Sequence, residues 1–377
     1  MPVPLKKRCN WLLHGLESVT EMADASLARS ETTATDLHRP RVFTDQLLQW
    51  LRGRGHVLIV THDHPDPDAL ASAMALKHLI LVQTGQPTTV AYGGVVGRGE
   101  NRVMVESLEI DIVPLESLDL DRYPVVCMVD TQPGTGNNSF PVERPVHLVI
   151  DHHPCLEACQ KVRWVDVRED YGATATMVFE YLLAQKVNFG TKLATILFYA
   201  IKSETQDLGR EWSRADRRAY MYLLPLANNR ILFDITHPEV PRAYFRHFHH
   251  AIRNALIFGD VLVFNLFDID NPDMVAEMAD FLLRVDEVAI VMGLGRFRDT
   301  VVLSFRTLRS DLNAGAVMQA VVTGLGTAGG HGMMAGGQIR GTDGSREAQE
   351  HLAHTLTQRL LAHLGRYPAP GLPLVSD

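Results

Sequence analysis

Between His56 and Ile150 the chain alternates short apolar runs with longer segments of helical spacing. His56–Thr61, Thr88–Tyr92, Val125–Val129 and Val146–Ile150 are short runs rich in β-branched residues, and they read as buried strands. Asp45–Arg52, with Leu47, Leu48 and Leu51 apolar, reads as a helix, and further helices are expected over Ala69–Val82, Ala173–Gln185 and Thr191–Ser203. Strands alternating with helices imply an α/β fold built on a parallel, doubly wound sheet. A mainly helical stretch follows, and the alternation then resumes. Strands are expected at Val261–Phe267, Glu287–Met292 and Thr300–Phe305, and helices at Pro272–Arg284, Ala314–Val322 and Ser345–Leu364. This predicts a second, smaller α/β domain. The expected divisions are 1–42 (a helix over Cys9–Ala23 and a mobile segment), 43–213 (larger domain), 214–259 (helical connector), 260–366 (smaller domain) and 367–377 (an unstructured, proline-containing tail).

Composition narrows the function classes. The 377 residues are 46% hydrophobic, enough for two cores. With a formal charge of −8 the chain is a poor candidate for gripping long duplex DNA, although a small anionic ligand remains open to it if cations and arginines are focused in one cleft. No apolar run reaches the length of about 18 residues that a membrane span needs, and the N-terminus does not read as a signal peptide. A cytoplasmic location is the expectation. Cys155 and Cys159 resemble half a zinc site, but no second pair sits at zinc-finger spacing, so ordinary thiols in a reducing compartment are expected. His247, His249 and His250 fall in the helical connector and read as a solvated or interdomain face.

Three apolar strands end in polar clusters: His62-Asp63-His64-Pro65-Asp66-Pro67-Asp68, then Asp130, then Asp151-His152-His153. In open α/β sheets ligands bind beyond the carboxyl ends of the strands, so these clusters converge on one rim. Carboxylate and imidazole suit Mn²⁺ or Mg²⁺, and Pro65 and Pro67 stiffen the first turn. Capping a helix needs one acidic residue, not three potential ligands within seven positions.

The pattern His62-x3-Asp66-x-Asp68, Asp130 at a strand end and Asp151-His152-His153 resembles the DHH phosphoesterase superfamily. That superfamily includes RecJ-type exonucleases, nano-RNases acting also on phosphoadenosine phosphate, cyclic di-AMP phosphodiesterases and exopolyphosphatases. Ser304-Phe305-Arg306, Asn313 and Gly329-Gly330-His331 resemble its DHHA1 substrate-binding domain, with Ala328 in place of the first of three glycines. The resemblance runs from about residue 50 to about 360 and makes 43–213 the DHH and 260–366 the DHHA1 domain, with the active-site cleft between them.

The resemblance implies two metal ions, usually Mn²⁺ with Mg²⁺ as the alternative. His62 and Asp66 would hold one and Asp68 and His152 the other. Asp130 would bridge them, Asp151 would orient an imidazole from behind, and His153 would face the substrate phosphate. Two cations about 3.5–4 Å apart can share a hydroxide and neutralise the charge of an in-line displacement. Arg306, Gly329, Gly330 and His331 would bind substrate: glycines let backbone N–H groups approach a phosphate, and the arginine fork matches its oxygens. Where the family usually has Asp-Thr, this chain has Glu204-Thr205, with Asp207 three residues on. Glu204 is the expected last ligand and Asp207 the alternative. Met333 and Met334 either line the substrate loop or pack. The expected activity is hydrolysis of short oligonucleotides, phosphoadenosine phosphate or cyclic or linear dinucleotides to mononucleotides. The alternatives are an exopolyphosphatase and a non-catalytic nucleotide sensor. A base-stacking aromatic in the cleft would separate nucleotide from polyphosphate substrates. A homodimer is consistent with the resemblance.

Overall fold

A computed structural model describes residues 37–366 and 370–375 of the chain, the side chain of His331 excepted. The helix expected over Cys9–Ala23 lies outside the described residues. The chain opens with α1 (His38–Leu51), which buries Leu47, Leu48 and Leu51. Strand β1 (Val57–Val60) follows, then α2 (Pro67–Thr84), β2 (Thr88–Tyr92), α3 (Gly99–Ser107) and β3 (Val113–Pro114). The chain then crosses to β4 (Val125–Val129), β5 (Leu148–Asp151) and β6 (Trp164–Val167). The sheet order is β3-β2-β1-β4-β5-β6, and each pairing is parallel. Strand order therefore reverses between β1 and β4, the switch point where such sheets open a crevice.

β1 and β4 are buried at every position, as strands covered on both faces must be. One face packs on α1, α2, α4 (Thr174–Ala184) and α5 (Thr191–Glu204), through Ile59, Leu70, Leu76, Val129, Val178 and Leu197 among others. The other face carries Leu58, Val60, Met128 and Val149 beneath the loops. Within the stretch read as a connector, α6 (Arg214–Leu223) and α7 (Asn229–Thr236) pack Ala219, Leu223 and Ile235 into this first core. In α8 (Arg242–Arg253), Ala251 instead joins the core of the second domain.

The second sheet is mixed, in the order β11-β12-β10-β9-β8-β7-β13. Its strands are β7 (Leu256–Phe258), β8 (Val261–Asp268), β9 (Ile290–Phe297), β10 (Thr300–Thr307), β11 (Thr327–His331), β12 (Met334–Ile339) and β13 (Leu372–Pro373), with helices α9 (Met274–Leu282), α10 (Ala314–Val322) and α11 (Arg346–His363) against it. Two expectations are corrected here. The glycine-rich segment is not a loop: Gly329 and Gly330 lie in β11 and pair with Gly336 and Ala335 of β12. The tail is not wholly irregular, because Leu372 and Pro373 pair with β7 at the sheet edge, where proline is tolerated. The edge strands β3 and β6 and the helix α3 also went unread.

The domains meet along one seam. Arg98 Nη2 of the first domain lies 3.6 Å from Asp280 Oδ2 on α9, and Asn271 Nδ2 donates to Gly97 O at 3.1 Å. The β11–β12 turn presses Gly332 against the Glu211 carboxylate, where any Cβ would collide.

Candidate metal centre

The turn after β1 carries the first cluster. His62 Nδ1 is 2.8 Å from Asp63 O. With the proton on Nδ1 donated to that carbonyl, Nε2 is left with its lone pair toward the rim. Asp66 caps α2, accepting from Ala69 N at 3.0 Å, and Pro67 takes the first helical position. Capping and rim placement thus coexist in one carboxylate. Asp68 is buried and accepts from the N–H groups of Thr174 and Ala175, each at 2.8 Å, at the start of α4. Asp63 and His64 are turned elsewhere. Asp63 binds Ser139 N and Oγ at 2.9 and 2.6 Å, and His64 Nδ1 lies 3.2 Å from Val95 O.

Asp130 follows β4 with φ +57°, a left-handed conformation that costs most residues roughly 1–2 kcal/mol but that Asp adopts more readily. Its Oδ1 accepts from Thr174 Oγ1 at 2.9 Å. Its two oxygens face two imidazoles: Oδ2 is 3.6 Å from His62 Nε2 and Oδ1 is 3.6 Å from His152 Nε2. His62 Nε2 is also 3.6 Å from Asp66 Oδ1, and His152 Nε2 is 3.9 Å from Asp68 Oδ2. These separations are too long for hydrogen bonds. They suit pairs of donors on one cation with bonds of about 2.0–2.2 Å.

His152 Nδ1 is 3.1 Å from Tyr171 O, so this ring too offers Nε2 to the rim. Asp151 is buried; its Oδ2 accepts from Gln132 Nε2 at 2.8 Å and its Oδ1 lies 2.8 Å from His153 Nδ1. Two groups among the described residues have ligand atoms within 4.8 Å of one another and could hold a metal: His62, Asp66 and Asp130, and Asp130, His152 and His153.

Glu204 ends α5 and lines the same cavity as His152. Burial and then the nearby Asp66 push its carboxyl up to about 7. Burial, then the Asp130 charge, also raises Asp68 well above the usual carboxylate range. For His62, burial opposes the imidazolium, but Asp130 and Asp66 outweigh it and the pKa rises well above normal. The rim is thus a set of mutually repelling carboxylates with two imidazoles among them, whose extra protons a hard or borderline cation can displace. Asp207 stands apart: Lys202 Nζ lies 2.5 Å from its Oδ2, and Tyr220 OH donates to its Oδ1 at 2.9 Å.

The cleft beside the rim has a volume of about 550 Å³ and takes its walls from both domains, with Tyr171, Arg210 and Trp212 on one side and Asn313, Met333 and Met334 on the other. Arg306, on β10, is buried and donates from Nε to Asp280 Oδ1 at 2.6 Å and from Nη1 to Phe305 O at 3.0 Å. Ser304 lies two residues before it, on the same strand face, and its Oγ is buried without a hydrogen-bond partner among the described residues. Arg210 Nη1 is 2.7 Å from Met334 Sδ. Its guanidinium pKa is lowered by burial and by the nearby Arg306, against Asp280 and Glu204. Arg98, Arg210 and Arg306 therefore gather around Asp280. Sequence reasoning found only Arg306, because a single arginine outside a spaced motif carries no signal. Gly329 and Gly330 are held within the sheet ladder; the cleft is lined by Gly332 at the tip of the same hairpin. His331 ends β11, and its side chain lies outside the described residues.

Residues 56–201 match the DHH family N-terminal domain and residues 259–359 the DHHA1 domain. The chain is 35% identical over 285 residues to the uncharacterized protein MJ1633 of Methanocaldococcus jannaschii, covering 75% of this chain and 58% of that protein. It is 24% identical over 339 residues to the cyclic-di-AMP phosphodiesterase GdpP of Bacillus subtilis, covering 85% of this chain and 50% of that one. The chain thus spans about half the length of these two relatives. The crystal structure of an exopolyphosphatase-related protein from Bacteroides fragilis has the same fold, with a TM-score of 0.68 at 16% identity, covering 86% of this chain and 96% of that one. With both domain models matched in order and over most of its length, the chain belongs to the DHH–DHHA1 family.

Proposed function

We propose that the chain is a metal-dependent phosphodiesterase that hydrolyses short oligonucleotides, phosphoadenosine phosphate or cyclic or linear dinucleotides. The observation that carries this reading is the Asp130 carboxylate, whose two oxygens face His62 Nε2 and His152 Nε2 at 3.6 Å each. A carboxylate between two imidazoles whose other nitrogens are tied back is suited to bridging two cations. His62 and Asp66 would hold one ion, Asp68, His152 and Glu204 the other, with Asp130 shared. When bound, Mn²⁺ or Mg²⁺ supplies Lewis acidity, lowering the pKa of water and neutralising charge on the phosphate. A cyclic-di-AMP phosphodiesterase among the relatives supports this class of substrate.

The protein's own groups do the rest. Asp151 fixes His153 through Nδ1, which aims the other ring nitrogen at a phosphate on the rim. Arg306 and the Ser304 hydroxyl, which has no partner among the described residues, with Arg98 and Arg210 close by, would hold a second phosphate of the same substrate. The small cleft between the domains favours a short substrate. Metal-stripped protein given Mn²⁺ should hydrolyse at least one of linear diadenylate, cyclic di-AMP, a short RNA or phosphoadenosine phosphate. It should regain less with Ca²⁺, which prefers more oxygen ligands and a larger site. Full activity after exhaustive chelation, or none on any of these with Mn²⁺ present, would overturn the proposal.

A further inference from the structure

We infer that Trp212 is a stacking platform for a nucleobase, which restricts the substrates of the proposed phosphodiesterase to base-bearing esters; the inference rests on that reading of the site. Single exposed hydrophobic residues are common on protein surfaces, so position decides the matter. Trp212 is 44% exposed, and it lines the cavity that His152 and Glu204 also line. His152 and Glu204 belong to the polar rim where a phosphodiester would react, so Trp212 shares one cavity with that rim.

The backbone holds this indole in place. Ser213 and Asp216 form a capping box at the start of α6, and Asp216 Oδ2 also accepts from Gly172 N at 2.8 Å. Gly172 packs so closely under the segment that a Cβ there would stand 3.1 Å from Trp212 Cα and 2.6 Å from Glu211 O. An apolar residue just before an N-cap ordinarily folds down onto the fourth helical position. Here that position is Arg217, and Trp212 instead lines the cleft.

The second domain supplies the opposite wall. Gly332 sits against Glu211, the residue before Trp212, and this contact brings half-buried Met333 and Met334 to the same cavity. Thioethers are polarisable and favour aromatic faces. An indole and two thioethers lining one cavity supply apolar surface for a flat ring, beside an arginine whose fork can pair with a phosphate. Every base has such a face, so this platform selects a base without selecting which one. A polyphosphate has no group to fill it.

The test compares the wild-type chain with Trp212→Ala and Trp212→Phe. AMP should bind the wild type at least about tenfold more tightly than ribose 5-phosphate or tripolyphosphate, in line with the usual strength of base–aromatic stacking. Trp212→Ala should remove that preference, and Trp212→Phe should keep most of it. On linear diadenylate, Trp212→Ala should raise KM about tenfold with kcat little changed. AMP should also quench indole emission in the wild type and not in Trp212→Phe, a readout that survives if the alanine variant fails to fold. Equal affinity for AMP and ribose 5-phosphate in the wild type, or an unchanged AMP affinity in a folded Trp212→Ala, would overturn the inference. AMP binding through Trp212 in a protein that hydrolyses nothing would uphold it while refuting the proposed activity.

Discussion

The two walls of the cleft are built differently. On the rim of the first sheet most of the functional side chains are tied back by a hydrogen bond from behind. His62 and His152 lean on carbonyls, Asp68 on two helix N–H groups and Asp151 on Gln132. The wall of the second domain is unfinished. Among the described residues Ser304 Oγ is buried without a partner, and Arg306 shares Asp280 with Arg98 of the first domain. A site that places a reaction needs its groups fixed beforehand. A site that grips a charged ligand can leave donors for that ligand to satisfy. On this contrast the rim would set the rate and Arg306 with its neighbours the affinity, and it can be broken from either side.

The largest effect should come from Asp130→Ala. It removes the carboxylate proposed to be shared by two cations, and kcat should fall on the order of a thousandfold or more, with KM moving little. A loss confined to KM would erase the distinction between the walls. Arg306→Ala should do the reverse. Losing charge-assisted hydrogen bonds worth about 1.5–3 kcal/mol should raise KM roughly 10- to 100-fold while kcat stays close to normal.

Glu204 and Asp207 sharpen the account of the rim itself. Glu204→Ala should weaken Mn²⁺ binding by about 10- to 100-fold in a titration, the range seen when a metal site loses a supporting group. Glu204→Asp should keep activity, and Asp207→Ala, which only breaks a pairing with Lys202 and Tyr220, should be mild. A dead Asp207→Ala beside a near-normal Glu204→Ala would move the last ligand three residues along.

The smallest effect is on stability against pH. Glu204 is raised from 4.5 to about 7, first by burial and then by Asp66. His152 is raised to about 10, where burial opposes the charge but Asp130 and Asp68 outweigh it. A raised pKa contributes stability that is fully present below the unfolded value and is lost as pH rises through the folded one. Metal-free protein should therefore melt at a lower temperature at pH 8 than at pH 5.5. Mn²⁺, which needs deprotonated ligands, should stabilise it more at pH 8. A metal-free protein whose melting temperature rises over that interval would contradict these charge assignments.

Much of this was legible in the sequence because the rim sits where periodicity stops. β1, β4 and β5 are continuous apolar runs, so the charges that end them stand out at Asp130 and Asp151, and Pro65 and Pro67 mark the turn between β1 and α2. What went unread has physical reasons. Gly329 and Gly330 have no intrinsic strand preference, and only pairing with β12 makes them a strand. β3 and β13 are two residues long and owe their existence to a neighbouring edge. Arg210 and Trp212 lie far in the chain from Asn313, Met333 and Met334, and only the meeting of the two domains brings them to one cleft.

Asp130 is proposed to bridge two cations. Anomalous diffraction at the manganese edge from crystals grown with Mn²⁺ tests it directly. Two peaks about 3.5–4 Å apart are expected, one beside His62 and Asp66, the other beside Asp68, His152 and Glu204, with the Asp130 carboxylate between them. A single peak, or two that do not share Asp130, would contradict it.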